Sequence, residues 1–166
     1  MDASPSRPAT AYPVPARPAP VTIIAEPLDT EAWLAAMGAG DDTGALAVFI
    51  GRCRGEKGRL HALELEHYPG MAEAEIGRIM DRARTRWPLS ELMVVHRTGL
   101  VAVGEPIVLV AAGSNHRDAA FDAVRFVMDF LKTDAPFWKR EHLVDGTVGD
   151  WVDAKETDDA ARARWA

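Results

Sequence analysis

The sequence predicts an α+β fold with a largely antiparallel sheet. Two segments, Met71 to Trp87 and roughly Asp118 to Lys132, place apolar residues at the helical period. Several apolar runs of strand length are bounded by glycine or proline, and they come in groups between helices rather than one per helix. A length of 166 residues suits one domain, residues 21–166, with a core that needs neither disulfides nor metals.

The elements follow in order. Residues 1–20 hold six Pro and five Ala and no unbroken apolar stretch, which reads as a disordered Pro/Ala-rich tail rather than a secretory signal. Val21 to Ile24 is a short strand. Asp29 or Thr30 then caps a helix carrying Trp33, Leu34 and Met37, which Gly38 stops. Ala45 to Ile50 is a continuous apolar run, expected as a buried strand ending at the turn Gly51-Arg-Cys-Arg54. Leu63, Leu65 and His67 alternate with Glu64 and Glu66, as in a strand with one wet face. The first long helix buries Ala72, Ile76, Ile79, Met80, Ala83 and Trp87, and Pro88 follows it. Leu92 to His96 and Ile107 to Ala112 are strands around a Gly99 to Gly104 connection. The second long helix is expected to bury Phe121, Val124, Val127, Met128 and Leu131. Asp145-Gly146 marks a tight hairpin, after which Trp151 and Val152 close the ordered region.

Composition narrows the function classes. With 19 Lys plus Arg against 25 Asp plus Glu, the net charge of −6 provides no global field for nucleic acid or an anionic membrane. An anion site must therefore be a local cluster. No eighteen apolar residues run together, so no membrane span is expected. The single Cys53 offers no intramolecular disulfide and no zinc spacing, in keeping with a reducing cytoplasm, and no metal or cofactor is expected.

Three clusters carry candidate chemistry. At Gly113-Ser-Asn-His-Arg117 a strand passes into a helix, so backbone N–H groups, His116 and Arg117 fit one phosphate; equally, Ser114 or Asn115 caps the helix and the two cations are solvated. Arg52 and Arg54 close an apolar strand, either as a fork for phosphate or carboxylate or as surface charges. Cys53 between them has no base beside it in sequence and is read as packing. The third cluster, Lys132 to Glu141, compresses a helix end, Pro136, two aromatics and two lysines into ten residues, with Phe137 and Trp138 expected as core anchors. Its lysines are either desolvated amines fit for nucleophilic or proton-transfer work or helix-end cations complementing the dipole.

An ordered series of motifs resembles the large subunit of molybdopterin synthase, the MoaE family, over about residues 21 to 165. It runs through Gly44-Ala45, Val48-Phe-Ile-Gly-Arg-Cys-Arg54, Leu65-Glu-His-Tyr68, Met71-Ala72, His96-Arg97-Thr-Gly99, Gly104-Glu105, His116-Arg117 and Ala120-Phe121. The longest member is Asp129-Phe-Leu-Lys-Thr-Asp-Ala-Pro-Phe-Trp-Lys-Arg-Glu141, followed by Trp151-Val152.

The resemblance implies an α/β hammerhead with an added antiparallel β subdomain. It also implies a homodimer within a heterotetramer, each end binding a small ubiquitin-like sulfur-carrier subunit through its thiocarboxylated C-terminal glycine. The implied reaction is sulfur transfer to cyclic pyranopterin monophosphate, forming the molybdopterin dithiolene in molybdenum cofactor biosynthesis. By position, Lys132 resembles the family lysine at the carrier terminus and Lys139 the lysine at the substrate. Arg52, Arg54, His116, Arg117, Lys132, Lys139, Arg140 and Glu141 resemble the substrate pocket. Cys53 stands where an aliphatic residue is usual. Lys155 stands where an arginine reaching the neighbouring subunit's site is expected. The chain ends Arg164-Trp-Ala166 without a terminal Gly-Gly, so a separate carrier is expected.

Overall fold

The computed structural model describes residues 11–38, 40–154 and 159–166; residues 1–10 of the expected tail and Lys155 lie outside the described residues. The order is β1 (Val21–Ile24), α1 (Thr30–Met37), β2 (Ala45–Arg52), β3 (Leu60–His67), α2 (Met71–Arg86), β4 (Leu89–Arg97), β5 (Gly99–Ala102), β6 (Pro106–Ser114), α3 (Arg117–Asp134), β7 (Phe137–Leu143), β8 (Val152–Asp153) and α4 (Asp159–Ala163). These form two four-stranded sheets, ordered β1-β4-β6-β2 and β5-β3-β7-β8. Every pairing is antiparallel except β1 with β4. The fold is mixed α and β. Among the described residues no helix is long and apolar enough to cross a membrane.

The first sheet is covered on both faces. On one side Leu92, Val94, Val108, Val110 and Ala112 meet Ile76, Ile79 and Met80 of α2 and Ala123, Phe126 and Val127 of α3. On the other, Ile24, Met93, Val95, Leu109 and Ala111 pack on Trp33 of α1. Asp29 caps α1 by accepting from Ala32 N at 3.0 Å, and Gly38 ends it at φ 71°. Residues 11–20 form no helix or strand, yet Tyr12 stacks on Trp33 at 5.9 Å and Val14 packs on the same cluster.

The structure departs from the sequence reading at five points, each with a packing reason. β2 is the edge strand of the first sheet, so its apolar run is only partly buried: Ala47 reaches the core, but Leu46, Val48 and Phe49 remain exposed. The eight-residue α1 covers the central strands and leaves this edge open. On α3 the core face is rotated. Phe126 and Phe130 are buried, whereas Phe121 is 63% exposed and Met128 only partly covered. The Gly99 to Gly104 connection contains β5, which pairs with β3. The segment after Pro136 is strand β7, whose alternation buries Phe137 and leaves Trp138 exposed, so one aromatic anchors rather than two. Finally, order continues past Val152. Helix α4 carries Trp165 into contact with Trp87 and Phe126, at 5.5 and 5.4 Å.

Candidate active site

A cavity of about 520 Å³ lies at the seam between the two sheets. The end of β2, the C-terminal turns of α3 and the inner faces of β3 and β7 line it. Its apolar wall includes Phe49, Leu63, Leu65, Met128, Leu131 and Phe137; its cations are Arg52, Arg54, Lys132 and Lys139.

The arginines arrive through close backbone packing. A Cβ on Gly51 would lie 2.8 Å from Val108 Cγ1 and 3.3 Å from Phe49 Cε1, so glycine lets β2 press against β6 just before it bulges at Arg52. Cys53 N then donates to Glu105 O at 3.0 Å, and Gly104 N donates to Cys53 O at 2.8 Å. These bonds pin the turn. The Cys53 side chain is buried with Leu60, Leu65 and Val101, and burial pushes its thiol pKa up, which makes it a packing residue rather than a thiolate nucleophile. Arg54 stays largely exposed beside Glu56, at 3.3 Å.

The lysines come from two elements. Lys132 lies in the last turn of α3, and Ala135 leaves the helix in an extended conformation ahead of Pro136, turning the chain into β7. Period-two alternation on β7 then puts Phe137, Lys139 and Glu141 on the cavity face. Arg59 grips Glu141 through two bonds, Nη1 to Oε2 at 2.9 Å and Nη2 to Oε1 at 3.1 Å, and holds its carboxyl below the usual carboxylate range. Among the described lining residues the cations Arg52, Arg54, Lys132 and Lys139 outnumber the carboxylates Glu56 and Glu141, in a chain of net charge −6.

The same alternation turns Arg140 to the opposite face. Its Nε donates to Glu64 Oε2 at 2.6 Å, and its guanidinium sits 4.6 Å from the Trp151 ring centroid. His116 and Arg117 also lie apart from the cavity. His116 is itself the N-cap residue of α3, while Ser114 is buried and donates to Pro88 O at 2.8 Å, so neither Ser114 nor Asn115 caps the helix. Arg117 is exposed beside Asp118, at 3.7 Å. It stands at the opposite end of α3 from Lys132, about 22 Å along the axis. Thus one chain brings together Arg52, Arg54, Lys132, Lys139 and Glu141, and does not bring His116, Arg117 or Arg140 to them.

Two features escape the residue-by-residue reading. Asp129 Oδ2 accepts from Trp165 Nε1 at 2.8 Å and Arg164 Nη1 at 3.2 Å, and Arg86 Nη2 donates to Trp165 O at 2.8 Å. This clasp holds the helix turn that presents Lys132. Its ends lie too far apart in sequence to signal the contact. The second is His96, a cavity-lining residue on β4. Its signal is one polar side chain closing an apolar strand, Leu92-Met-Val-Val-His96. Among the described residues no group of three or more His, Cys, Asp or Glu is placed to hold a metal ion.

A family model described as MoaE protein matches residues 23–134, more than half of the chain. The chain belongs to the MoaE family. It is 58% identical over 146 residues to the molybdopterin synthase catalytic subunit of Mesorhizobium japonicum, covering 87% of this chain and 92% of that protein. It is 53% identical over 152 residues to the protein of the same description from Brucella melitensis, covering 91% and 93%. Among solved structures, the molybdopterin biosynthesis MoaE protein from Burkholderia ambifaria superposes with a TM-score of 0.78 at 46% identity, over 89% of this chain and 97% of that one. The MoaE match ends at Asp134, just past Lys132; the longer alignments cover about nine-tenths of the chain.

Proposed function

We propose that this MoaE-family chain is the catalytic subunit of molybdopterin synthase, a sulfurtransferase of molybdenum cofactor biosynthesis working in the cytoplasm. It moves sulfur from the thiocarboxylated C-terminus of a small ubiquitin-like carrier to cyclic pyranopterin monophosphate, forming the dithiolene. The observation that carries this reading is the convergence of Lys132 and Lys139 with Arg52 and Arg54 on one apolar-walled cavity.

Each group has a task suited to its chemistry. The arginines and Lys139 hold the cyclic phosphate and stabilise charge developing on its oxygen as the ring opens. Lys132, at the helix end, meets the carrier's terminal thiocarboxylate. The lysine ammonium groups are positioned to donate a proton to the leaving oxygen, and in neutral form an amine activates the incoming sulfur. Glu141 orients this wall through Arg59. Arg140 supports β7 from behind through Glu64.

His116 and Arg117 join a substrate pocket only from a second copy of the chain. The exposed residues Leu46, Val48, Phe49 and Phe121 give a homodimer an apolar face along β2 and α3. A two-fold axis that sets two α3 helices antiparallel there brings the Arg117 end of one beside the Lys132 end of the other. The dimer with two carriers is the heterotetramer. In this reading the first sheet with its helices is an α/β hammerhead, the second sheet is the added antiparallel subdomain, residues 21–166 are one domain, and residues 1–20 are a tail.

The test is reconstitution. The purified protein is mixed with thiocarboxylated carrier and cyclic pyranopterin monophosphate, and molybdopterin is assayed through its fluorescent oxidation product. Product is expected, and its absence rejects the reading. An adaptor that docks the carrier without catalysis would bind carrier and form no product.

A further inference from the structure

The polar side chains of the cavity wall are not all charged. His96 lines the cavity from β4, its ring stacked on Phe137 with centroids 4.0 Å apart and planes 21° apart. Its Nδ1 lies 2.9 Å from the backbone oxygen of Arg97. A carbonyl oxygen only accepts, so Nδ1 carries the hydrogen, and in the neutral ring Nε2 is a bare acceptor. The ring is neutral at physiological pH. Burial, the largest cause, takes its pKa from 6.5 down to about 4; the Arg97 carbonyl opposes this and nearby His67 adds to it.

Nε2 meets no hydrogen-bonding group among the described residues. Among the described residues the fully buried side-chain nitrogens without a partner are Trp33 Nε1 and Arg97 Nε, and Nε2 is not one of them. Because His96 lines the cavity and Nδ1 is engaged by Arg97, Nε2 is the ring nitrogen left to meet a ligand there. The surrounding groups make that acceptor distinctive. Arg52, Arg54, Lys132 and Lys139, as cations, only donate, while the carboxylates of Glu56 and Glu141 face Arg54 and Arg59.

Resting on the sulfurtransferase reading above, we propose that His96 is a specificity residue for the heterocyclic end of the substrate, its Nε2 accepting a hydrogen bond from a pterin N–H. The lone pair attracts the donor-rich ring edge and repels phosphate oxygens, which go to the arginines and lysines. The two ends of the ligand are thereby sorted. A ligand lacking the N–H leaves Nε2 desolvated and unpaired, so the site discriminates against it.

The experiment compares His96→Phe, which keeps the stack on Phe137 and loses the acceptor, with His96→Gln, which restores an acceptor. Steady-state turnover is measured with thiocarboxylated carrier and varied cyclic pyranopterin monophosphate. His96→Phe is expected to raise KM for the pterin about tenfold with kcat within about twofold, and His96→Gln to recover most of the loss. An unchanged KM in His96→Phe, a loss in kcat alone, or a folded His96→Gln as impaired as His96→Phe each overturns the assignment. Should His96→Phe fail to fold, unaltered protein carries the test. In ¹⁵N-histidine-labelled protein the Nε2 resonance should move upfield when cyclic pyranopterin monophosphate is added without carrier, and an unmoved resonance overturns the proposal. Absence of product from unaltered protein rejects the sulfurtransferase reading as a whole; turnover with an unchanged KM in His96→Phe rejects only the role of His96.

Discussion

The two sheets are stabilised in different ways. The β1-β4-β6-β2 sheet is covered by helices over an apolar cluster on each face, whereas the β5-β3-β7-β8 sheet has a small cluster of Cys53, Leu60, Leu65 and Val101 and is tied by side-chain ion pairs. Those pairs are Arg59 with Glu141 and Glu64 with Arg140, and His142 Nε2 also lies 2.8 Å from Glu64 Oε2. The contrast places stability in one sheet and chemistry at its seam with the other. A strand such as β7 can present Lys139 and Glu141 to a cavity because the apolar layer beneath α3 does not depend on them. If that division holds, a core change in the first sheet unfolds the protein, a change at the seam removes function without unfolding, and a change among the ion pairs of the second sheet does little except in acid.

The largest expected effect is on stability. Phe126 is fully buried, packs on Trp87, Phe130 and Trp165, and lies under the guanidinium groups of Arg82 and Arg86 at 5.3 and 5.2 Å. Phe126→Ala should cost about 3–5 kcal/mol in urea unfolding, from lost transfer energy and the cavity left behind. A cost below about 1 kcal/mol would show that the helical layer is not where the stability resides.

Next comes the seam. Lys132→Ala should lower sulfur transfer by about a hundredfold or more while shifting stability by no more than about 1 kcal/mol and leaving carrier binding intact. Turnover at the unaltered rate would remove Lys132 from the mechanism. The same variant sharpens the dimer geometry. If Arg117 serves the neighbouring site, mixing Lys132→Ala with Arg117→Ala should restore about a quarter of the sites under random subunit exchange. No recovery, with exchange verified, would confine the site to one chain.

This division also explains what could be read from sequence. Helices α2 and α3 and strands β4 and β6 announce themselves because an apolar face buried on a helix or sheet imposes a period on the chain. Asp29 and Gly38 bound α1 as expected, because a cap is a local interaction. β5 carried no such signal: four residues between Gly99 and Ala102 become a strand only because β3 lies alongside. β7 was hidden because its inner face carries Lys139 and Glu141 where a core strand would carry apolar residues. The edge position of β2 and the exposure of Phe121 are likewise tertiary facts that no period encodes. At the site, the cluster of Arg52, Arg54, Lys132 and Lys139 was legible through family motifs. The same resemblance groups Arg140 with it, but the strand pleat sends Arg140 to the other face.

The smallest expected effect tests the second sheet alone. Arg140 Nε and His142 Nε2 both lie within hydrogen-bond distance of Glu64 Oε2, at 2.6 and 2.8 Å, and the bond from Arg140 contributes most in holding this carboxyl below its usual value of 4.5. A depressed carboxylate pKa adds stability that is fully present above the unfolded value and is lost as pH falls through the folded one. Because these groups are partly solvated, Glu64→Gln should lower the melting temperature at pH 7 by no more than about 3 °C. Its signature is the acid limb: the fall in stability below pH about 4.5 should flatten in the variant. His96 supplies an internal control. Its pKa is depressed from 6.5 to about 4, so its contribution is present above 6.5 and drains away between those values, a limb that Glu64→Gln should leave untouched. If the variant flattens the limb between pH 6.5 and 4.5 instead, Glu64 is coupled to the cavity rather than confined to the back of β7, and the separation of stability from chemistry fails at this sheet.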